Sequence, residues 1–252
     1  MSTIGRALRF SGFTLIEYMR SNRILVEIIV TIAVFYLFMW RSPITADYFF
    51  STSGLFTLAL SFYTTSAILG LGDRPEGYLV LVTRLGRSGY LLGLYFAALV
   101  VEFAMFGLLS LGVALLNRIA DLSMLGWLLG TVPLLLNVAL LSALLTLLAP
   151  IVLTGGWRLF VLALVAIAFS GSLINGPTLE TLWDPVITAL SVLRTIFSTP
   201  LLPAFTGYSL SVTRDYSGVN SIIPLTQLLL TLGLLALAVY AFARREIILS
   251  GS

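Results

Sequence analysis

RFSGFTLIEYMRSNRILVEIIVTIAVFYLFMW, residues 9–40, is the stretch on which the fold turns. Its second part, 24–40, is apolar over nearly the length that a helix needs to cross a bilayer, about 20 residues. Its first part is mixed. On a helix, Ile4, Leu8, Leu15, Ile16 and Met19 can share an apolar side, with Arg6, Arg9, Glu17 and Arg20 around the rest. Gly5 and Gly12 weaken that helix. A helix of this composition lies in the membrane interface rather than across it. Arg20, Asn22 and Arg23 separate the two parts. The stretch therefore predicts a cytoplasmic interfacial helix over 1–23 that leads into a first membrane span.

The string Gly12-Phe13-Thr14-Leu15-Ile16-Glu17 also resembles the processing site of a type IV prepilin. A pilin helix continues unbroken from that site and ends in a soluble head. Here Arg20, Asn22 and Arg23 break the helix and further apolar runs replace the head, so the physical reading stands.

Those runs lie at about 53–71, 90–116, 125–149, 157–174 and 222–243. With 24–40 they predict six spans in an all-α membrane protein, a single transmembrane domain over 1–252. Composition agrees. Charged residues make up 10% of the chain and hydrophobic ones 59%, too little polar surface to coat a soluble globule of 252 residues. No small-residue cleavage site follows the first apolar run, so no cleavable signal peptide is expected.

All fourteen cationic side chains are Arg. Ten of them (Arg6, Arg9, Arg20, Arg23, Arg74, Arg84, Arg87, Arg158, Arg244, Arg245) fall on one side of the six-span arrangement, and Arg41, Arg118, Arg194 and Arg214 on the other. The Arg-rich side is cytoplasmic by the positive-inside rule, which puts both termini inside a multi-pass protein of the plasma (inner) membrane. The net charge of +3 is explained by these boundary residues, and no nucleic-acid partner is expected. With neither Cys nor His, no disulfide, thiolate metal site or histidine base is available. No metal site and no catalytic residue are expected. Ser170-Gly171-Ser172 matches no nucleophile motif, and paired acids at one depth are missing.

Two connections are more than turns. The link between spans two and three, GDRPEGYLVLVTRLGRSGY at 72–90, is expected on the cytoplasmic side. Pro75 suits a helix start there and Glu76 complements the positive end of the helix dipole. The outer segment over 175–221 is too long for a plain loop. Pro185 can open a helix in it, and Ile187, Leu190, Leu193 and Phe197 recur at helical spacing, with Pro200 and Pro203 as interruptions. A re-entrant or interfacial helix and a loop lying on lipid are both open.

Glu102 falls about mid-depth in span three, where a carboxylate costs on the order of 3 kcal/mol unless paired or protonated. A proton relay, a substrate contact and a structural hydrogen bond to Asn137 of span four are its candidate roles. Glu27 stands four residues after Arg23, a spacing at which the two can pair as a boundary device. SFYTTS at 61–66 puts Ser61, Tyr63, Thr64 and Thr65 in mid-span two, and its hydroxyls need partners in lipid or bond back to their own helix. Gly89–Gly93 and Gly126–Gly130 allow close helix approach, and no function is assigned to them.

The ordered set resembles the permease subunits of type 2 ABC exporters: interfacial helix, six spans, structured second link, Pro-containing outer segment and the closing FARREI at 242–247. The resemblance covers nearly the whole chain. It implies that residues 74–93 carry a coupling helix docked on a separate ATPase subunit, which would bind ATP and Mg; this chain needs no cofactor of its own. Asp73, Arg74, Pro75, Glu76, Gly77, Arg84 and Arg87 are then ATPase-coupling residues, with Glu17 as a second contact. The plainer reading of these residues is a surface helix and a lipid-headgroup face. The resemblance further implies a substrate path through a dimer with a second permease copy or paralogue, bordered by Ser61, Tyr63, Thr64 and Thr65; simple helix packing is the other reading. No G-x-x-x-x-G-K-[ST] string is possible in a chain without Lys, so the expected ATP hydrolysis belongs to the partner. Rival readings are an ion-coupled secondary transporter using Glu102, and a structural or sensory subunit of such a complex.

Overall fold

The computed structural model describes residues 3–40, 44–72, 85–117, 119, 121–153, 155–169, 192, 195–196 and 198–244. Helices α1 (Thr3–Arg20), α2 (Arg23–Val34), α3 (Ala46–Gly72), α4 (Gly86–Leu116), α5 (Met124–Leu148), α6 (Gly155–Phe169), α7 (Leu202–Thr213) and α8 (Ile223–Arg244) follow in chain order. A π-helical turn, Phe35–Met39, continues α2, and a 3₁₀ turn, Gly218–Ile222, leads into α8. No strand occurs among the described residues.

Among the described residues, four helices are long and apolar enough to cross a membrane: α3, α4, α5, and α8 with its leading turn. At 1.5 Å per residue, the 25 residues of α5 extend about 37 Å, more than the roughly 30 Å hydrocarbon core. The bent pair α1–α2 brings the number to five. The described part of α6 has 15 residues, and positions 170–174 of the expected fifth span lie outside the described residues. So does most of the expected second link: Asp73, Arg74, Pro75, Glu76, Gly77 and Arg84 are not among those described.

The break predicted at Arg20–Arg23 is a bend of 75°. Asn22 makes it by taking the left-handed conformation, φ 59°, which Asn tolerates better than most side chains. Beyond the bend, α1 lies along α4. Ala7, Ser11, Thr14 and Tyr18, spaced 4, 3 and 4, form its buried face, while Leu8, Phe13, Ile16 and Met19 point outward. This divides the single apolar side expected from sequence. Leu8, Ile16 and Met19 are exposed, and Leu15 packs partly against the core. The inward hydroxyls bond to their own backbone, Ser11 to Leu8 O at 2.7 Å and Thr14 to Phe10 O at 3.2 Å, so none is stranded. Gly93 on α4 makes the approach possible, because a Cβ there would meet a ring carbon of Phe10 at 2.5 Å.

Helices α3, α4, α5 and α8 form the bundle, and α7 packs into it against α3, α5 and α8. Sequence reading took Pro200 and Pro203 as interruptions. In the structure they sit at the starts of a 3₁₀ turn and of α7, where a missing N–H costs nothing. One apolar cluster gathers Ile68, Tyr90, Leu91, Leu94, Leu147 and Phe242 at the end where α3 closes and α4 opens. Another gathers Phe35, Phe49, Phe50, Phe106, Leu109 and Leu134 toward the opposite end. Between them α3 and its neighbours bury Thr57, Ser61, Thr64, Thr65, Glu102 and Ser142.

The surface is the inverse of a soluble protein's. Leu37, Leu55, Phe62, Leu111, Leu115 and Leu229 are among many large apolar side chains that are more than half exposed. Apolar outside with hydroxyls and carboxylates inside is the distribution that a hydrocarbon solvent selects. Among the described residues the chain is all-helical, with four to five long apolar helices of the kind that a membrane-spanning protein has.

Candidate functional site

Successive residues on a helix point about 100° apart. Thr64 and Thr65 of α3 therefore face different neighbours, and each meets a glutamate. Thr65 Oγ1 donates to Glu102 Oε1 of α4 at 2.7 Å. Ser142 of α5 donates to Glu102 Oε2 at 2.8 Å. Ser61, one turn before Thr65, shares a 2.9 Å bond with Ser142. On its other side, Thr64 donates to Glu27 Oε1 of α2. Tyr18 of α1 reaches the same oxygen at 2.6 Å, across the bend. Glu102 is 0% and Glu27 1% exposed.

Among the described residues, the side chains bonded to the two carboxylates are all hydroxyls. Arg23, the partner expected for Glu27, instead donates to Ala67 O of α3 at 3.1 Å. The i,i+4 pairing is thus replaced by contacts across three helices. Asn137 is not the partner of Glu102 either. It donates to Ala204 O at 2.8 Å and accepts from Gln227 Nε2 at 2.8 Å. Gln227 also donates to Pro133 O at 3.1 Å. This second polar node ties α5, α7 and α8 together. Gly207 of α7 leaves room for it, since a Cβ there would lie 1.9 Å from Gln227 Nε2.

Pro133 lies inside α5 and supplies no N–H to the carbonyl of Leu129 one turn earlier. Tyr216 fills that gap, its hydroxyl donating to Leu129 O at 2.7 Å. Close by, Arg214 pairs with Asp47 and lies 5.7 Å above the ring of Phe50.

Of the hydroxyls singled out in 61–66, Ser61 and Thr65 are brought together with Glu102, Thr64 meets Glu27 instead, and Tyr63 is 41% exposed and points away. Glu17 is exposed on α1. Arg87, in the first turn of α4, donates to Ala243 O near the end of α8 at 2.9 Å. Sequence reading missed Ser142, Tyr18 and the burial of Glu27. A signal for Glu27 existed: Thr31 shares its helix face at i,i+4, and both are buried.

Chemically, the arrangement is a proton-holding or hydrogen-bonding core of two carboxylates on hydroxyl donors, secluded from solvent. No group of three or more His, Asp or Glu suited to a metal ion occurs among the described residues. Compared with protein-family models, with curated proteins and with solved structures, the chain shows no match.

Proposed function

We propose that the chain is the membrane-spanning permease subunit of an ATP-driven ABC exporter. Its six spans would pair with a second permease copy or paralogue to form the substrate path in the plasma (inner) membrane, both termini cytoplasmic. A separate ATPase would bind ATP and Mg and dock on the 72–90 segment. The observation that carries the reading is the order of parts: an amphipathic α1 turned 75° from α2, then α3 and α4 joined through 73–85, then a short α7 tucked into the bundle ahead of α8. The test is a mild-detergent purification of the tagged chain from its native membrane, beside a variant with Glu76, Arg84 and Arg87 changed to Ala. A stoichiometric ATPase with a nucleotide-binding P-loop, weakened by the triple change, is the expected result. Its absence under conditions that preserve complexes overturns the reading.

A second reading, an ion-coupled secondary transporter using Glu102, is favoured by one observation: among the described residues both buried glutamates are held by hydroxyl side chains. Membrane-embedded acids without a cationic partner are where coupling protons bind. It predicts proton flux in vesicles that Glu102→Gln abolishes, with no ATPase partner.

A further inference from the structure

Between α2 and α3 lies a cavity of about 230 Å³, lined by Val26, Glu27, Val30, Phe56, Ala59 and Tyr63 among others. Val26, Val30 and Tyr63 are 48, 41 and 41% exposed, so the cavity borders the apolar outer surface rather than the bundle interior. Its volume is below the roughly 300–1,000 Å³ of drug-sized sites, which suits an alkyl chain or a single ring.

Glu27 is the carboxylate on this wall. Its Oε1 already accepts from Tyr18 and Thr64. Its Oε2 is buried and accepts no hydrogen bond among the described residues. An ionised carboxylate has about four acceptor sites. Leaving half of them empty in a low-dielectric setting is costly, and the cost is removed by a donor. Arg23, one turn away, is engaged with Ala67 O. Glu27 lines the cavity, and the terminal torsion of a Glu is soft and broad, so a turn about it can offer Oε2 to a group bound there.

We propose that this cavity is a binding site for a single-chain amphiphile with a primary ammonium head. The head donates to Glu27 Oε2, and the chain lies along Val26, Val30, Phe56 and Ala59. An ammonium fits better than a hydroxyl because its hydrogen bond to a carboxylate is charge-assisted, and among the described residues the side-chain donors on Glu27 are hydroxyls. The site stands whether the chain works with an ATPase or with an ion gradient.

The test uses the full chain in phosphatidylcholine vesicles with dodecylamine carrying a mid-chain diazirine, and the matching dodecanol as control. After irradiation, labelled peptides are located by mass spectrometry. The amine is expected to label α2 and α3 around Val26, Val30 and Ala59, about tenfold more than the alcohol, the size of one charged hydrogen bond. Unlabelled dodecylamine should compete and unlabelled dodecanol should not. Glu27→Gln should lower amine labelling to the alcohol level. Ala59→Phe should exclude the amine while leaving the carboxylate in place, and thermal unfolding of both variants confirms that they are folded. Equal labelling by amine and alcohol overturns the proposal, as does amine labelling that persists in both variants. If Glu27→Gln fails to fold, Ala59→Phe and the competition decide.

Discussion

At the scale of single residues, the most demanding position is Glu102. Its two oxygens are served by Thr65 and Ser142, which come from different helices. Removing one donor leaves a buried acceptor without water to replace it. Ser142→Ala is therefore expected to cost about 1–3 kcal/mol, whereas Ser209→Ala on an exposed face should stay within about 0.5 kcal/mol. Denaturant unfolding in detergent measures both. Glu102 was legible from sequence because a carboxylate amid apolar residues stands out whatever surrounds it. Its partners were not. Asn137 and Ser142 lie five positions apart on α5, about 7.5 Å along the axis, and only the register between helices decides which one meets Glu102. Glu27 was misread for a related reason: spacing describes neighbours on one helix, and Tyr18 and Thr64 are on two others.

At the scale of elements, apolar runs located most helices to within a few residues. The runs at 90–116 and 125–149 correspond to Gly86–Leu116 and Met124–Leu148. The start of α3 was placed late, since AspTyrPhePhe at 47–50 belongs to a helix whose apolar stripe is interrupted by hydroxyls. Helix α7 lies within the outer segment expected to be helical, 175–221, but beyond the stretch whose spacing pointed to a helix, because Pro200 and Pro203 stand in first turns instead of breaking one. Pro133 shows the opposite case, a proline kept inside a helix with its orphaned carbonyl answered by Tyr216. A double-mutant cycle isolates this device. Tyr216→Phe alone should destabilise by about 1 kcal/mol; in a Pro133→Ala background, where residue 133 supplies its own N–H, the loss should shrink by about half or more. Equal losses in both backgrounds would show that Tyr216 acts elsewhere.

At the scale of the whole molecule, the inverted surface makes lipid or detergent part of the folded state, and orientation becomes the first property to fix. The chain has no Cys, so single cysteines can be introduced without background. Asp121 and Asn220 follow α4 and precede α8, and Glu17 lies on α1. With both termini inside, a membrane-impermeant maleimide should label Asp121→Cys and Asn220→Cys in intact cells, and Glu17→Cys only after permeabilisation. The reverse pattern would invert the topology and move the 73–85 segment to the outside, where no ATPase could reach it.

Thr64 and Thr65 also bear on how such a molecule can move. Two adjacent side chains, pinned to acids on opposite flanks, act on α3 like the two bits of a key in one lock. Twisting the helix pulls on both at once, and sliding it one residue lets go of both. Neither motion can proceed by degrees. Helices α2, α3 and α4 are therefore coupled through one pair of adjacent side chains, as α1 is coupled to α2 through Tyr18 and α8 to α5 through Gln227, so that displacing α3 disturbs both of its flanks together.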